Sequence, residues 1–219
     1  MGGLIEIRQG IIAASNGVLP SISSEYQQVE YIISQATAID TGVPGNNPNL
    51  SFDFCFECAE YFQYGGIFGN FNNGQDTSWR MILSNSNNNA FFLSAYNKGA
   101  DLMQIKFPSS IYGKRIYAKV KYHDVSAVIE NVKTEHTPTT LTQGTERDYN
   151  IAVGYQRVMT YLSNNVRVKF YYFRIFDNGT LIRNYIPCYR KADNKVGFYD
   201  TVNKTFNTST STNEFELPS

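Results

Sequence analysis

Apolar and polar residues alternate along most of this chain, in runs too short for anything but β-strands. Residues 169–206 show it most clearly (KFYYFRIFDNGTLIRNYIPCYRKADNKVGFYDTVNKTF). The chain alternates there, turns at Asp177-Asn178-Gly179, alternates again, and turns once more at residues 191–195, which is the pattern of a β-meander. Upstream the signal recurs. Residues 29–32 read as a strand, and 41–49 as a loop of Gly, Asn and Pro. Residues 50–61 read as a strand with Phe52, Phe54, Phe56 and Cys58 on one face. Further strands are expected at 65–69, 79–83, 90–96, 111–122, 127–132, 149–156 and 166–176. Residues 84–89 read as an asparagine-rich turn, and 208–213 as a polar, mobile loop. No helical period persists for three turns. Many short strands joined by Gly and Asn turns predict an all-β sandwich or barrel.

Residues 1–22 read as a separate arm. Ile5 and Ile7 alternate with Glu6 and Arg8, Gly10 ends the run, Ile11 and Ile12 follow, and Pro20 marks the exit. So short a segment cannot bury its own isoleucines. It is expected to dock on a neighbouring subunit or another protein, as an anchor or oligomerisation element. Residues 23–219 are expected to form one domain.

Composition narrows the function. Aromatics reach 15%, with 16 Tyr and 15 Phe, which suits pleated surfaces. The 19 basic and 19 acidic residues balance. No basic field is present for nucleic acid, and no polybasic run for a membrane. The three cysteines, Cys55, Cys58 and Cys188, cannot all pair within one chain. Cys55 and Cys58 lie three apart on an alternating strand, which turns them to opposite faces and weakens any metal reading. Reduced, mostly buried thiols are expected. The N-terminus carries Glu6 and Arg8 inside its apolar run and does not read as a secretory signal.

The ends of the domain carry recognisable wording. Residues 25–42 read EYQQVEYIISQATAIDTG. The C-terminal meander carries DNG, L, R, IPCYR, GFYD, V and F in that order. In these features the chain resembles the concanavalin A-like (LamG-like) jelly-roll modules of bacteriophage and gut-bacterial surface proteins. The resemblance implies a two-sheet antiparallel jelly roll. It also implies a virion structural protein, a head or tail fibre, spike or decoration subunit, assembled in the host cytoplasm and displayed on the virion surface. Its expected partners are copies of itself, as a trimer, other virion proteins through the arm, and glycans. The alternative is a bacterial carbohydrate-binding adhesion module.

Catalysis finds little support. His123 and His136 read as loop residues and no nucleophile elbow is present. The nearest acidic pair is Asp53 and Glu57, with Cys55 between them. Four residues on a regular strand span roughly 13 Å, against about 5 Å between the carboxyls of a retaining glycosidase. No enzyme activity, cofactor or metal site is therefore assigned. For a glycan, the candidates are aromatic and polar residues at strand ends: Trp79, Arg80, Tyr96, Asn97, Tyr155 and Arg157. A core position for Trp79 is the competing reading.

Overall fold

The computed structural model describes residues 22–59, 64–70, 79–86, 90–97, 101–106, 111–121, 124–129, 132–136, 149–154 and 167–218. The arm with Ile5, Ile7, Ile11 and Ile12 lies outside them. The described residues are all-β, with no helix. In chain order the strands are β1 (Tyr26–Gln28), β2 (Ile32–Ser34), β3 (Ala38–Pro44), β4 (Leu50–Cys58), β5 (Tyr64–Gly69), β6 (Arg80–Ser86), β7 (Ala90–Asn97) and β8 (Asp101–Lys106). They continue with β9 (Arg115–Lys121), β10 (Asp124–Ile129), β11 (Val132–His136), β12 (Asn150–Gly154), β13 (Val168–Asp177), β14 (Thr180–Arg190), β15 (Val196–Asp200) and β16 (Thr205–Asn207).

Two antiparallel sheets result, as a jelly-roll sandwich requires. The longer runs β11-β10-β9-β4-β13-β14-β15-β16, with β2 added beside β13 and β1 beside β14. The shorter runs β3-β12-β5-β6-β7-β8. Alternation sends one face of each strand inward. Phe52, Phe54, Phe56 and Cys58 of β4 enter the core as their spacing predicts, beside Ile116, Ala118 and Val120 of β9. Ile39, Val153, Phe68 and Met81 form a single cross-strand row on the inner face of the shorter sheet. Phe68 reaches across the interior. Its ring centroid lies 4.5 Å from Phe52, 5.4 Å from Phe54 and 5.2 Å from Phe173. Edge-to-face and tilted pairs of this kind add about 0.5–1.5 kcal/mol each beyond the area they bury.

The C-terminal meander folds as its sequence predicts. Asn178 and Gly179 both take positive φ, 47° and 79°, the geometry of a two-residue hairpin turn. Gly197 has no alternative residue: a Cβ there would sit 2.3 Å from the Asn207 carbonyl oxygen on β16. Asp200 is buried, and its Oδ1 accepts the N–H groups of Asn184 and Val202, both at 3.0 Å, tying the end of β15 to β14. Gly197 and Asp200 of the GFYD run are therefore structural.

Other expectations are corrected. The predicted loop at 41–49 begins later, because β3 continues through Pro44, held where Thr41 Oγ1 donates to the Ile151 carbonyl at 2.7 Å. The run at 29–32 is broken between β1 and β2. The first pairs with β14 and the second with β13, where those two long strands part. β8 and β11 went unread, and His136 ends a strand instead of sitting in a loop. Residues 208–213 are not loose: Thr210 N donates to the Ala38 carbonyl at 2.7 Å, and Ser211 Oγ to that of Ala36 at 2.9 Å. Beyond them Phe215 is buried against Phe198, with centroids 5.6 Å apart, and Glu216 exchanges two backbone hydrogen bonds with Ile33. The tail therefore closes one side of the core. Phe215→Ala is expected to lower unfolding free energy by about 3 kcal/mol in urea titrations, as for other buried Phe truncations. A loss under about 1 kcal/mol would show that the tail only rests on the surface.

Candidate functional site

The residues picked from the sequence fall in three places. Trp79 is core: it is 4% exposed, packs edge-on to Phe52 at 5.0 Å, and donates from Nε1 to the Asn47 carbonyl at 3.4 Å. Its indole offers no face to a sugar, and the core reading of this residue is the correct one. Arg80, Tyr96 and Asn97 occupy one end of the shorter sheet. Met81 pairs with Ala95, so the backbones of Arg80 and Tyr96 fall side by side one position further on, and Asn97 follows opposite Asp101. Tyr155 and Arg157, like His123, lie outside the described residues.

A different surface carries the richest described chemistry. On the outer face of the longer sheet, β4 presents Asp53, Cys55 and Glu57 between β9 and β13. The register between β4 and β13 slips between Phe170 and Tyr172. Phe170 and Phe173 both enter the core, so Tyr171 and Tyr172, adjacent in sequence, both turn outward. A regular strand cannot do this, and a bulge can. Tyr171 Oη donates to Glu57 Oε2 at 2.8 Å, and Tyr172 Oη to Asp53 Oδ1 at 3.0 Å. Each acid also meets a cation. Lys169 Nζ donates to Glu57 Oε1 at 2.7 Å, and Arg174 Nη1 lies 3.7 Å from Asp53 Oδ2.

Aromatic rings brace the cations. The Arg115 guanidinium lies 4.0 Å from the Tyr171 ring centre, Arg174 lies 4.7 Å from Tyr172, and Lys169 Nζ lies 5.0 Å from Tyr31. Arg115 also pairs with Glu30 in the link between β1 and β2. The charged side chains are 11–25% exposed across the two ion pairs, and Glu57 is the most buried of them. Continuous with this array is a groove of about 370 Å³, lined by Ser51, Asp53, Lys119, Lys121, Ser126, Lys133 and Phe176 among others.

The geometry bears on catalysis. β4 pairs with β9 without interruption from Ser51 to Glu57, so β4 itself has no bulge that would bring its two acids together. They remain roughly 13 Å apart at the usual strand rise. Each is already occupied by a phenol and a cation. Among the described residues, no three His, Cys, Asp or Glu side chains gather in a way that could hold a metal ion.

The thiols are chemically quiet. All three are free and buried. Burial pushes the Cys55 thiol from the ordinary 9.0 up to about 12, with Arg115 opposing, and pushes Cys188 to about 12. Cys58 is raised further by its burial. Burial raises Tyr172, with Asp53 adding to it, and raises Tyr171, with the hydrogen bond to Glu57 adding to it.

No protein-family model and no curated protein matches the chain. Among solved structures it is similar to the CBM40 of the Ruminococcus gnavus IT-sialidase bound to alpha2,3 sialyllactose. That likeness has a TM-score of 0.47 at 10% identity, over 70% of this chain and 90% of that one. It is also similar to the native heptameric SAP-like pentraxin from Limulus polyphemus, with a TM-score of 0.44 at 10% identity over 70% and 72%. The alginate lyase from Alteromonas sp. 272 follows, with a TM-score of 0.35 at 9% identity over 69% and 77%. These are jelly-roll, concanavalin-like folds. Likeness this distant identifies neither a ligand nor a reaction.

Two measurements check the thiol chemistry. A thiol reagent such as dithionitrobenzoate is expected to leave all three cysteines unmodified in the native protein and to titrate them in denaturant; rapid labelling of the folded chain would contradict their burial. The folded state holds the thiol and phenol protons more tightly than the unfolded chain. Their contribution to stability is thus complete below about pH 9 and is lost as pH rises toward 12. The melting temperature is expected to be flat from neutral pH to about 8.5 and to fall above it.

Proposed function

We propose that this chain is a non-catalytic glycan-binding jelly-roll module, and that its contact surface is the outer face of the longer sheet. The observation that carries the reading is the pair of acid–phenol–cation clusters, Glu57–Tyr171–Lys169 and Asp53–Tyr172–Arg174, set side by side on a solvent-facing sheet. A sheet that needed only solubility would carry independent charged side chains. Here carboxylate acceptors and guanidinium donors are held in fixed directions, which suits the paired hydroxyls of a sugar. Because they are already ordered, little conformational entropy remains to be lost on binding. The occupied, widely spaced acids support binding over hydrolysis.

Display on a phage virion, with residues 1–22 as the anchor of a trimer, is part of the proposal and rests on the sequence resemblance alone. A bacterial adhesion module would use the same surface. Deleting residues 1–22 is expected to leave a folded domain that no longer attaches to particles.

Glycan arrays of the full chain test the binding reading. The wild type is expected to bind, and Arg174→Ala and Tyr171→Ala to bind about tenfold more weakly, a loss of about 1.4 kcal/mol. Unchanged binding in both, with loss in Arg80→Ala or Tyr96→Ala, would move the site to the shorter sheet. Release of reducing ends from any polysaccharide, abolished by Glu57→Gln, would overturn the non-catalytic reading.

A further inference from the structure

The register of the longer sheet sorts its outer side chains into rows that run across the strands. Val128 of β10 stands opposite Tyr117 of β9, Tyr117 opposite Cys55 of β4, and Cys55 opposite Tyr172 of β13. Ile186 of β14 lies one position beyond the Phe173–Tyr185 pair, which sets it beside Tyr172. Ile186 stands opposite Tyr199 of β15, and Tyr199 opposite Phe206 of β16. One apolar, mostly aromatic row thus crosses the sheet from β10 to β16, about 30 Å at the usual spacing between strands. It lies on the outer face, because its neighbours along the strands, Ala118, Phe54, Phe173, Tyr185 and Phe198, are the residues that enter the core. Polar rows flank it. On one side stand Lys119, Asp53, Arg174 and Asn184, each the register partner of the next. On the other stand Arg115, Glu57 and Lys169, partnered in the same way. Cys55, Ile186 and Tyr199 are buried beneath their neighbours, whereas Tyr117, Tyr172 and Phe206 are half-buried and keep ring surface open to solvent. Tyr26 of β1, also half-buried, joins the far end, its ring centroid 5.0 Å from Tyr199 and 4.9 Å from Phe206. Three aromatic stations therefore stand along one line: Tyr117, then Tyr172 two strands on, then Phe206 with Tyr26 three strands further. Cross-strand aromatic pairs stabilise a sheet by being covered, and these stations are left partly open.

We propose that the ligand of this face is the interior of a polymeric glycan, lying across the strands along the aromatic row, and not a single terminal sugar. The inference rests on the glycan-binding reading above and adds the ligand's length and direction. A pyranose has an apolar face of C–H groups and a rim of hydroxyls. Rings set along a line offer a surface to the first, and the polar rows offer donors and acceptors to the second on both sides. A sugar ring is about as wide as one strand interval, so about six linked rings cover the row from Val128 to Phe206. A disaccharide reaches a single station. A longer chain reaches all three, and its later contacts cost no further loss of translational freedom. Tyr172 belongs both to the row and to the cluster with Asp53 and Arg174, so the middle of the polymer passes over the clusters already described.

The test is a calorimetric titration of the full chain with cello-, malto-, xylo- and chito-oligosaccharides of increasing length. In the series that binds, affinity is expected to rise at least about tenfold from the disaccharide to a chain of about six sugars, and then to level off. Tyr117→Leu and Phe206→Leu keep apolar bulk and remove the flat ring. Each is expected to weaken binding of the longest oligosaccharide about tenfold and to leave the disaccharide as it was. Leu181→Ala removes exposed apolar surface off the row and is expected to change neither. Equal affinity for the disaccharide and the longest chain, or array binding confined to terminal sugars, would overturn this inference and leave the glycan-binding reading standing. Binding to no glycan would overturn both. Ring variants that dissociate an oligomer in sedimentation runs, with glycan affinity unchanged, would show that a second copy of the chain covers the row, and would overturn the inference as well.

Discussion

The interlock of Phe68 with Phe52, Phe54 and Phe173 is the contact on which the rest of this molecule depends. It is where the two sheets touch ring to ring, with β5 on one side and β4 and β13 on the other. β4 and β13 are also the strands whose outer faces carry Asp53, Glu57, Tyr171 and Tyr172. The residues that bury the sandwich and the residues that face solvent are thus alternate members of the same strands. A packed interior admits few small adjustments, so the outer side chains inherit the rigidity of the inner ones.

A single irregularity converts that rigidity into the candidate site. Without the register slip between Phe170 and Tyr172, one of the two tyrosines would have to enter the core. With it, each finds an acid on β4, and each acid finds a cation on β13. The result is a fixed arrangement of donors and acceptors. Binding by such a surface gains from order already present. Hydrolysis would need two carboxyls near one bond, and an unbroken β4 keeps them apart.

Much of this was legible in the chain itself. The period-2 run through Phe52, Phe54, Phe56 and Cys58 named a core face correctly. The Asp177-Asn178-Gly179 turn and the strands around it stand where alternation places them, because turn chemistry and burial agree there. The bulge was also visible in principle. Val168, Phe170, Phe173 and Ile175 are all core, and the break in parity between 170 and 173 is its signature. Trp79 could not be placed from its neighbours. The polar run before it resembles an exposed loop, and only the packing partner Phe52, far away in sequence, makes it core. The tail at 208–213 misled for a related reason. Its Ser and Thr side chains bond to the backbone of residues 36 and 38, a long-range match that local polarity cannot announce. The proposed binding face was missed because Lys169, Tyr171, Tyr172 and Arg174 look like ordinary outward positions until β4 supplies their acids.

A crystal structure of the full chain with the tightest-binding oligosaccharide from a glycan array would test the central claim most directly. The account predicts the sugar across β4 and β13, against Tyr171, Tyr172 and Arg174. A ligand seated instead beside Arg80 and Tyr96 on the shorter sheet would contradict it.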